Sequence, residues 1–133
     1  MEIVPVKVVA SSEGKHENRI RRAKCVLDSN ELTFWFSDKT LPQHLIFTFN
    51  EPTSVSSIEV TFQGGFASES IVIYGSEDGV EFSSLSESLY VENSNIPQIF
   101  SVSCSSIRYM KLEFLDSYDL YSRLIVYSVR FFQ

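Results

Sequence analysis

Apolar residues recur at every second position of this chain, in short runs closed by turn residues. That alternation constrains the fold more than any other feature. Leu45, Phe47 and Phe49 follow it, as do Ile58, Val60 and Phe62 around Glu59 and Thr61. Met110, Leu112 and Phe114 alternate with Lys111 and Glu113, and Ile125, Tyr127, Val129 and Phe131 with Val126, Ser128 and Arg130. A period of two sends successive side chains to opposite faces of a strand, so each run offers one face to a core. The runs Ile3–Val9, Val80–Leu85 and Ile99–Val102 add candidate strands. Ile71–Tyr74 is continuously apolar, the pattern of a strand covered on both faces, and an Asp78-Gly79 turn follows it. Helical spacing is confined to Asn18–Leu27, where Ile20, Ala23 and Leu27 share a stripe. About eight strands with polar turns predict an all-β sandwich or closed barrel, with one short helix near the N-terminus.

The 133 residues make one domain, 1–133, and an apolar content of 44% is enough for a core. Eleven Lys and Arg against 17 Asp and Glu leave a net charge of −6, and that charge is segregated. No Lys or Arg lies between Lys39 and Arg108, a stretch holding Glu51, Glu59, Glu69, Glu77, Asp78, Glu81, Glu87 and Glu92. Five of the 11 basic residues (Lys15, Arg19, Arg21, Arg22 and Lys24) fall within ten positions. A phosphate-tracking surface needs clustered cations, so broad nucleic-acid binding is disfavoured. An anionic membrane is likewise a poor partner for the acidic middle. The basic run has two readings: a solvated face, or a local anion contact between Lys15 and Lys24.

The start of the chain lacks the basic residues and long apolar stretch of a secretory signal. Reduced thiols at Cys25 and Cys104, and residence in the nucleus or cytoplasm, are therefore expected. The cysteines are too far apart for a zinc knuckle, and His16 and His44 are isolated. Gln63-Gly64-Gly65-Phe66 lacks the Gly-Lys-Ser/Thr of a phosphate cradle. No nucleophile stands in a hydrolase turn, so a binding module is expected rather than an enzyme. Asp28 and Thr33 are candidate oxygen ligands for calcium, the one cofactor in question. Trp35 is read first as a core anchor and second as a ligand platform. With Trp35 buried, at least one of its neighbours Phe34 and Phe36 is expected at an exposed rim.

Several of these segments occur in one order in a known family. Ala10-Ser11-Ser12, Leu27-Asp28 and Thr33-x-Trp35-x-Ser37-Asp38 resemble the opening of a discoidin domain, the coagulation factor 5/8 type C family. Tyr74-Gly75-Ser76-x-Asp78-Gly79-x-x-Phe82 resembles its middle hairpin, and Ile107-Arg108-Tyr109-Met110-Lys111-Leu112 a late strand. The resemblance implies a galactose-binding-like jelly-roll β-sandwich. Thr61–Phe66 and Asp116-x-x-Asp119-x-Tyr121-x-Arg123-x-Ile125-x-Tyr127 resemble a small single-domain intracellular subfamily. That likeness implies a non-enzymatic, protein-binding role in transcriptional repression, with a nuclear receptor or a multi-subunit complex as partner. Calcium-binding members place a glutamate in the last strand where this chain has Ser128, which leaves Asp28 and Thr33 as the calcium candidates.

Loops at one end of such a sandwich are expected to carry the site. Phe34, Phe36, Asp38, Phe66, Tyr118, Tyr121 and Arg123 are the candidates for a protein partner. Trp35, Gln63 and Arg123 are the candidates for a glycan, the alternative ligand. Arg123 either pairs with Asp116 and Asp119 or exposes its guanidinium fork. Removal of the Phe66 and Tyr118 rings is expected to weaken partner binding and leave stability unchanged.

Overall fold

The structure is a computed structural model that describes residues 1–133. Its strands are β1 (Glu2–Ile3), β2 (Lys7–Ala10), β3 (Lys15–His16), β4 (Arg19–Ile20), β5 (Trp35–Ser37), β6 (Gln43–Phe62), β7 (Ser70–Ser76), β8 (Ser83–Ser84), β9 (Leu89–Tyr90), β10 (Gln98–Phe114) and β11 (Leu124–Phe132). A short 3-10 helix spans Ala23–Leu27.

The long strands β6 and β10 organise the rest. The first part of β6 pairs with β2 on one side and with the end of β10 on the other. That end of β10 also carries β7, which in turn carries β8 and β9. The last part of β6 pairs with the start of β10 and with β11, whose far edge carries β5 and β1. Both long strands thus pass from one layer of the sandwich to the other. Aromatic rings close the layers upon each other: Phe47 lies 4.8 Å from Phe131, Trp35 5.6 Å from Phe114, and Phe62 5.9 Å from Phe114.

A strand that changes layers must re-aim its side chains or present its polar face to the core. In β6 the buried residues occupy odd positions from Gln43 to Val55 and even positions from Ile58 to Phe62. In β10 the register with β6 shifts between Ser101 and Tyr109, and Ser106 takes a φ of +57°. These bulges keep Phe100, Val102, Ile107, Met110, Leu112 and Phe114 all inward. The resulting core is one cluster of 24 buried apolar residues. Each large one contributes about 1.5–3 kcal/mol of burial.

The all-β sandwich read from the alternation is the fold observed, although several runs behave differently. The runs at 45–49 and 58–62 belong to one strand, as do those at 99–102 and 110–114. The Ile71–Tyr74 run is one-sided: Ile71 and Ile73 are buried, and Val72 and Tyr74 only half-buried. Val80–Leu85 shrinks to β8 because the Asp78 carboxylate accepts the amides of Val80 and Glu81 and prolongs the turn. The helix is likewise shorter than its stripe. Glu17 and Asn18 adopt φ of 53° and 64° and turn β3 into β4, so only Ala23–Leu27 coils. A register shift after Val126 splits the last strand: Leu124, Val126, Val129 and Phe131 face the main core, and Ile125 a second cluster.

Candidate functional site

Strand β5 is buried on both faces. The Trp35 side chain is fully enclosed, and its Nε1 donates to the carbonyl of Ser12 at 2.8 Å. On the other face, Phe34 and Phe36 pack with Ile125 and are 8% and 4% exposed. The β3–β4 hairpin covers them. The His16 ring lies 5.5 Å from Phe34 and 5.1 Å from Phe36, and the Arg21 guanidinium sits 4.5 Å above the Phe34 ring. Gly14 permits this approach, since a Cβ there would stand 2.8 Å from the Phe36 ring. The expected aromatic rim is therefore absent, and Phe34, Trp35 and Phe36 leave the candidate surface. Asp38 remains exposed at the end of β5.

The other accessible candidates lie on loops 63–69 and 115–123, which adjoin loop 91–97. These loops are bonded to one another. The amides of Gly64 and Gly65 donate to the side chains of Asn95 and Asn93 at 2.6 and 2.7 Å. Gly65, at φ +91°, holds a backbone shape that a side chain would strain. The Tyr118 amide donates to the carbonyl of Ala67, and its hydroxyl to that of Val91. Ser68 Oγ donates to the carbonyl of Asp116 at 2.8 Å.

Within the last loop, Asp119 accepts from Arg123 Nε at 2.8 Å and from a terminal guanidinium nitrogen at 3.0 Å. It also accepts the backbone amides of Arg123 and Tyr121. The Arg123 hydrogen bonds are the main reason that the Asp119 carboxyl sits below its usual pKa range. The guanidinium lies 5.1 Å from the Phe66 ring and 5.4 Å from that of Tyr121. Of the two roles open to Arg123, the clamp is the one observed. Its partner is Asp119 alone, and Asp116 forms no ion pair.

Tyr118 packs against the main core, where burial raises its pKa, aided by Tyr90, Glu69 and Glu92. Phe66 packs against the Phe34–Phe36–Ile125 cluster. Both rings are structural, contrary to the expectation that stability would ignore them. Gln63 accepts the Tyr127 hydroxyl at 2.7 Å. Tyr121 projects at 76% exposure, and two residues absent from the sequence-based candidates join it: Leu120 at 96% and Tyr90 at 74%. The adjacent apolar pair Leu120-Tyr121, inside a polar loop, was the available signal.

Asp28 does not assemble a calcium site. Thr33 Oγ1 donates to its two oxygens at 2.8 and 2.7 Å, and the Asn30 amide to one of them at 2.9 Å. No three Asp, Glu, His or Cys side chains gather to hold a metal ion. A single carboxylate, already engaged, does not fit a cation that collects six to eight oxygens, and no calcium chemistry is derived. Ser128 lines a groove of about 620 Å³ on the outer face of β6 and β11, with Asn30, Glu59, Thr61, Asn95 and Arg130. Arg130 is engaged there by Glu2 at 2.8 Å and Glu59 at 3.5 Å. In the basic run, Arg21 and Arg22 pair with Glu17 and Glu13, leaving Lys15, Arg19 and Lys24 outside ion pairs.

Comparisons with known proteins agree with this geometry. The family described as "F5/8 type C domain" matches residues 7–124. Mouse nuclear receptor 2C2-associated protein is 32% identical over 107 residues, 80% of this chain and 76% of that protein. The human protein of that name is 30% identical over 107 residues, with the same shares covered. Among solved structures, a Clostridium perfringens CBM32 module in complex with GalNAc-β-1,3-galactose matches with a TM-score of 0.83 at 19% identity, covering 96% of this chain and 94% of that one. The CBM32 of AlyQ, in complex with 4,5-unsaturated mannuronic acid, matches with a TM-score of 0.84 at 16% identity, covering 100% and 98%. A two-layer β-sandwich, its ordered motifs and these matches converge: the chain belongs to the F5/8 type C (discoidin) domain family.

Proposed function

We propose that this protein is an intracellular adaptor that binds a partner protein through the loop end of its sandwich. One observation carries the reading. Leu120 and Tyr121 project into solvent from a loop held by Asp119, Arg123 and the neighbouring loops. Large apolar side chains on a pre-ordered surface bind with little further loss of conformational entropy. The names of the relatives support a protein partner, and a nuclear receptor or a complex containing one is the class we assign, with a role in transcriptional repression. Cross-linking mass spectrometry on cell lysate tests this. Wild type is expected to capture a defined partner set that Leu120→Ser plus Tyr121→Ser loses, with an unchanged Tm. Capture indifferent to both changes sinks the reading.

The outer groove favours a second reading, saccharide binding. Its walls carry the hydroxyls of Thr61 and Ser128 and the amides of Asn30 and Asn95, groups that suit a hydroxyl-rich ligand. Of the three glycan candidates, Trp35 is enclosed and Arg123 is held by Asp119, while Gln63 bonds Tyr127, which lines the groove. A glycan array without signal removes this reading.

A further inference from the structure

The exposed apolar residues at the loop end stand in a negatively charged setting. Tyr90 pairs with Ser70 at the start of β7, so Glu69 lies beside it. The Val91 amide donates to the carbonyl of Glu69, and the Glu69 amide to that of Asp116. Three hydrogen-bonded segments therefore bring Glu69, Glu92 and Asp116 to one place, where all three are exposed. None of them is in an ion pair. The Lys39–Arg108 gap places no cation on two of the three loops, and Arg123 on the third is bound by Asp119. Single exposed apolar residues are ordinary on a protein surface. Here three large ones share tied loops with three unpaired carboxylates.

We infer that this end takes a basic, aliphatic-bearing segment of a partner protein, seated on Tyr90, Leu120 and Tyr121, with its cations met by Glu69, Glu92 and Asp116 on the same bonded segments. The inference deepens the adaptor reading and rests on it. The apolar side chains supply the area removed from water, and the carboxylates select and steer the cations. An acidic segment, or a nucleic acid, meets the unpaired carboxylates of Glu69, Glu92 and Asp116, and the one nearby cation, Arg123, is already held by Asp119.

The test is a titration of 15N-labelled protein followed by amide chemical shifts. Three ten-residue peptides share the same leucines, interspersed with lysine, glutamine or glutamate. The lysine peptide is expected to shift the amides of Tyr90, Glu92, Leu120 and Tyr121 and to bind about tenfold more tightly than the glutamine peptide. Raising NaCl from about 50 to 300 mM weakens it about fivefold. Glu69→Gln plus Glu92→Gln weakens the lysine peptide alone, and Leu120→Ser weakens lysine and glutamine peptides together. A glutamine or glutamate peptide that binds as tightly overturns the inference, as does no shift at these loops. A lysine peptide that perturbs Glu51, Glu77 and Glu81 equally shows general acidity and overturns it too. Loop shifts that depend on protein concentration without peptide assign the patch to a second copy, through its own Lys15–Lys24 hairpin, and likewise overturn it. If the charge variants leave binding unchanged while Leu120→Ser plus Tyr121→Ser still abolishes partner capture, the inference falls and the adaptor reading stands. The reverse result sinks the adaptor reading.

Discussion

Two aromatic segments of this protein look alike in sequence and are treated in opposite ways by the fold. Phe34-Trp35-Phe36 leads into β5 and is enclosed, Trp35 by the core and the two phenylalanines by the β3–β4 hairpin. Tyr118–Arg123 forms a loop whose Tyr118 turns inward while Leu120 and Tyr121 turn outward. The first segment offers its side chains to stability, the second divides them. An aromatic run is therefore no guide to a binding site until both of its faces are accounted for.

The comparison is sharpest where a truncated ring leaves a cavity. Trp35→Ala should remove about 4 kcal/mol in urea unfolding, and Phe34→Ala about 3. A loss at Phe34 near that of an exposed residue breaks the claim that the hairpin seals this face. In the second segment, Asp119→Asn removes the charge and one of the two oxygens that accept two guanidinium and two backbone donors, and should cost about 2 kcal/mol. The Asp119 pKa is lowered in the folded state. Its contribution is therefore complete above the unfolded value of about 3.8–3.9 and disappears as pH falls through the folded one. Wild type and Asp119→Asn should differ by a constant amount at neutral pH and converge in strong acid. Full separation at the lowest pH would deny the ion pair its role.

A smaller effect is expected at His44, outside both segments. Burial lowers its pKa, with Lys111 adding to the shift and Glu113 opposing it. The folded protein then binds fewer protons than the unfolded chain. Stability should decline as pH falls below about 6.5, the unfolded value, and the decline should flatten in His44→Gln. A pH profile identical in wild type and variant removes His44 from this account. The smallest change belongs to Leu120→Ser and Tyr121→Ser, each within about 0.5 kcal/mol of wild type. A larger loss makes these residues part of the fold and erases the contrast between the two segments.

Alternation was sufficient to read the core faces of β6, β10 and most of β11, because burial on one side of a strand leaves a period of two. It was insufficient where the backbone slips. The bulges in β10 and the shift after Val126 re-aim side chains without any mark in the pattern of apolar residues. Burial of Phe34 and Phe36 depended on a hairpin that the helical stripe at 18–27 concealed. Arg123 was legible as a paired or an exposed group, and its choice of Asp119 over Asp116 required the loop geometry. The Leu120-Tyr121 pair carries no periodicity, so only its place in a polar loop marks it.

By itself, the sequence determined an all-β fold, the inward faces of its main strands, the segregation of its charge and its family likeness. These follow from local spacing and composition, which act along the chain. Only the tertiary structure decided which aromatic residues meet water, which carboxylate holds Arg123, and that the segments carrying Glu69, Glu92 and Asp116 are bonded to one another. Those outcomes depend on segments far apart in the chain, and their meeting is set by strand pairing and loop hydrogen bonds.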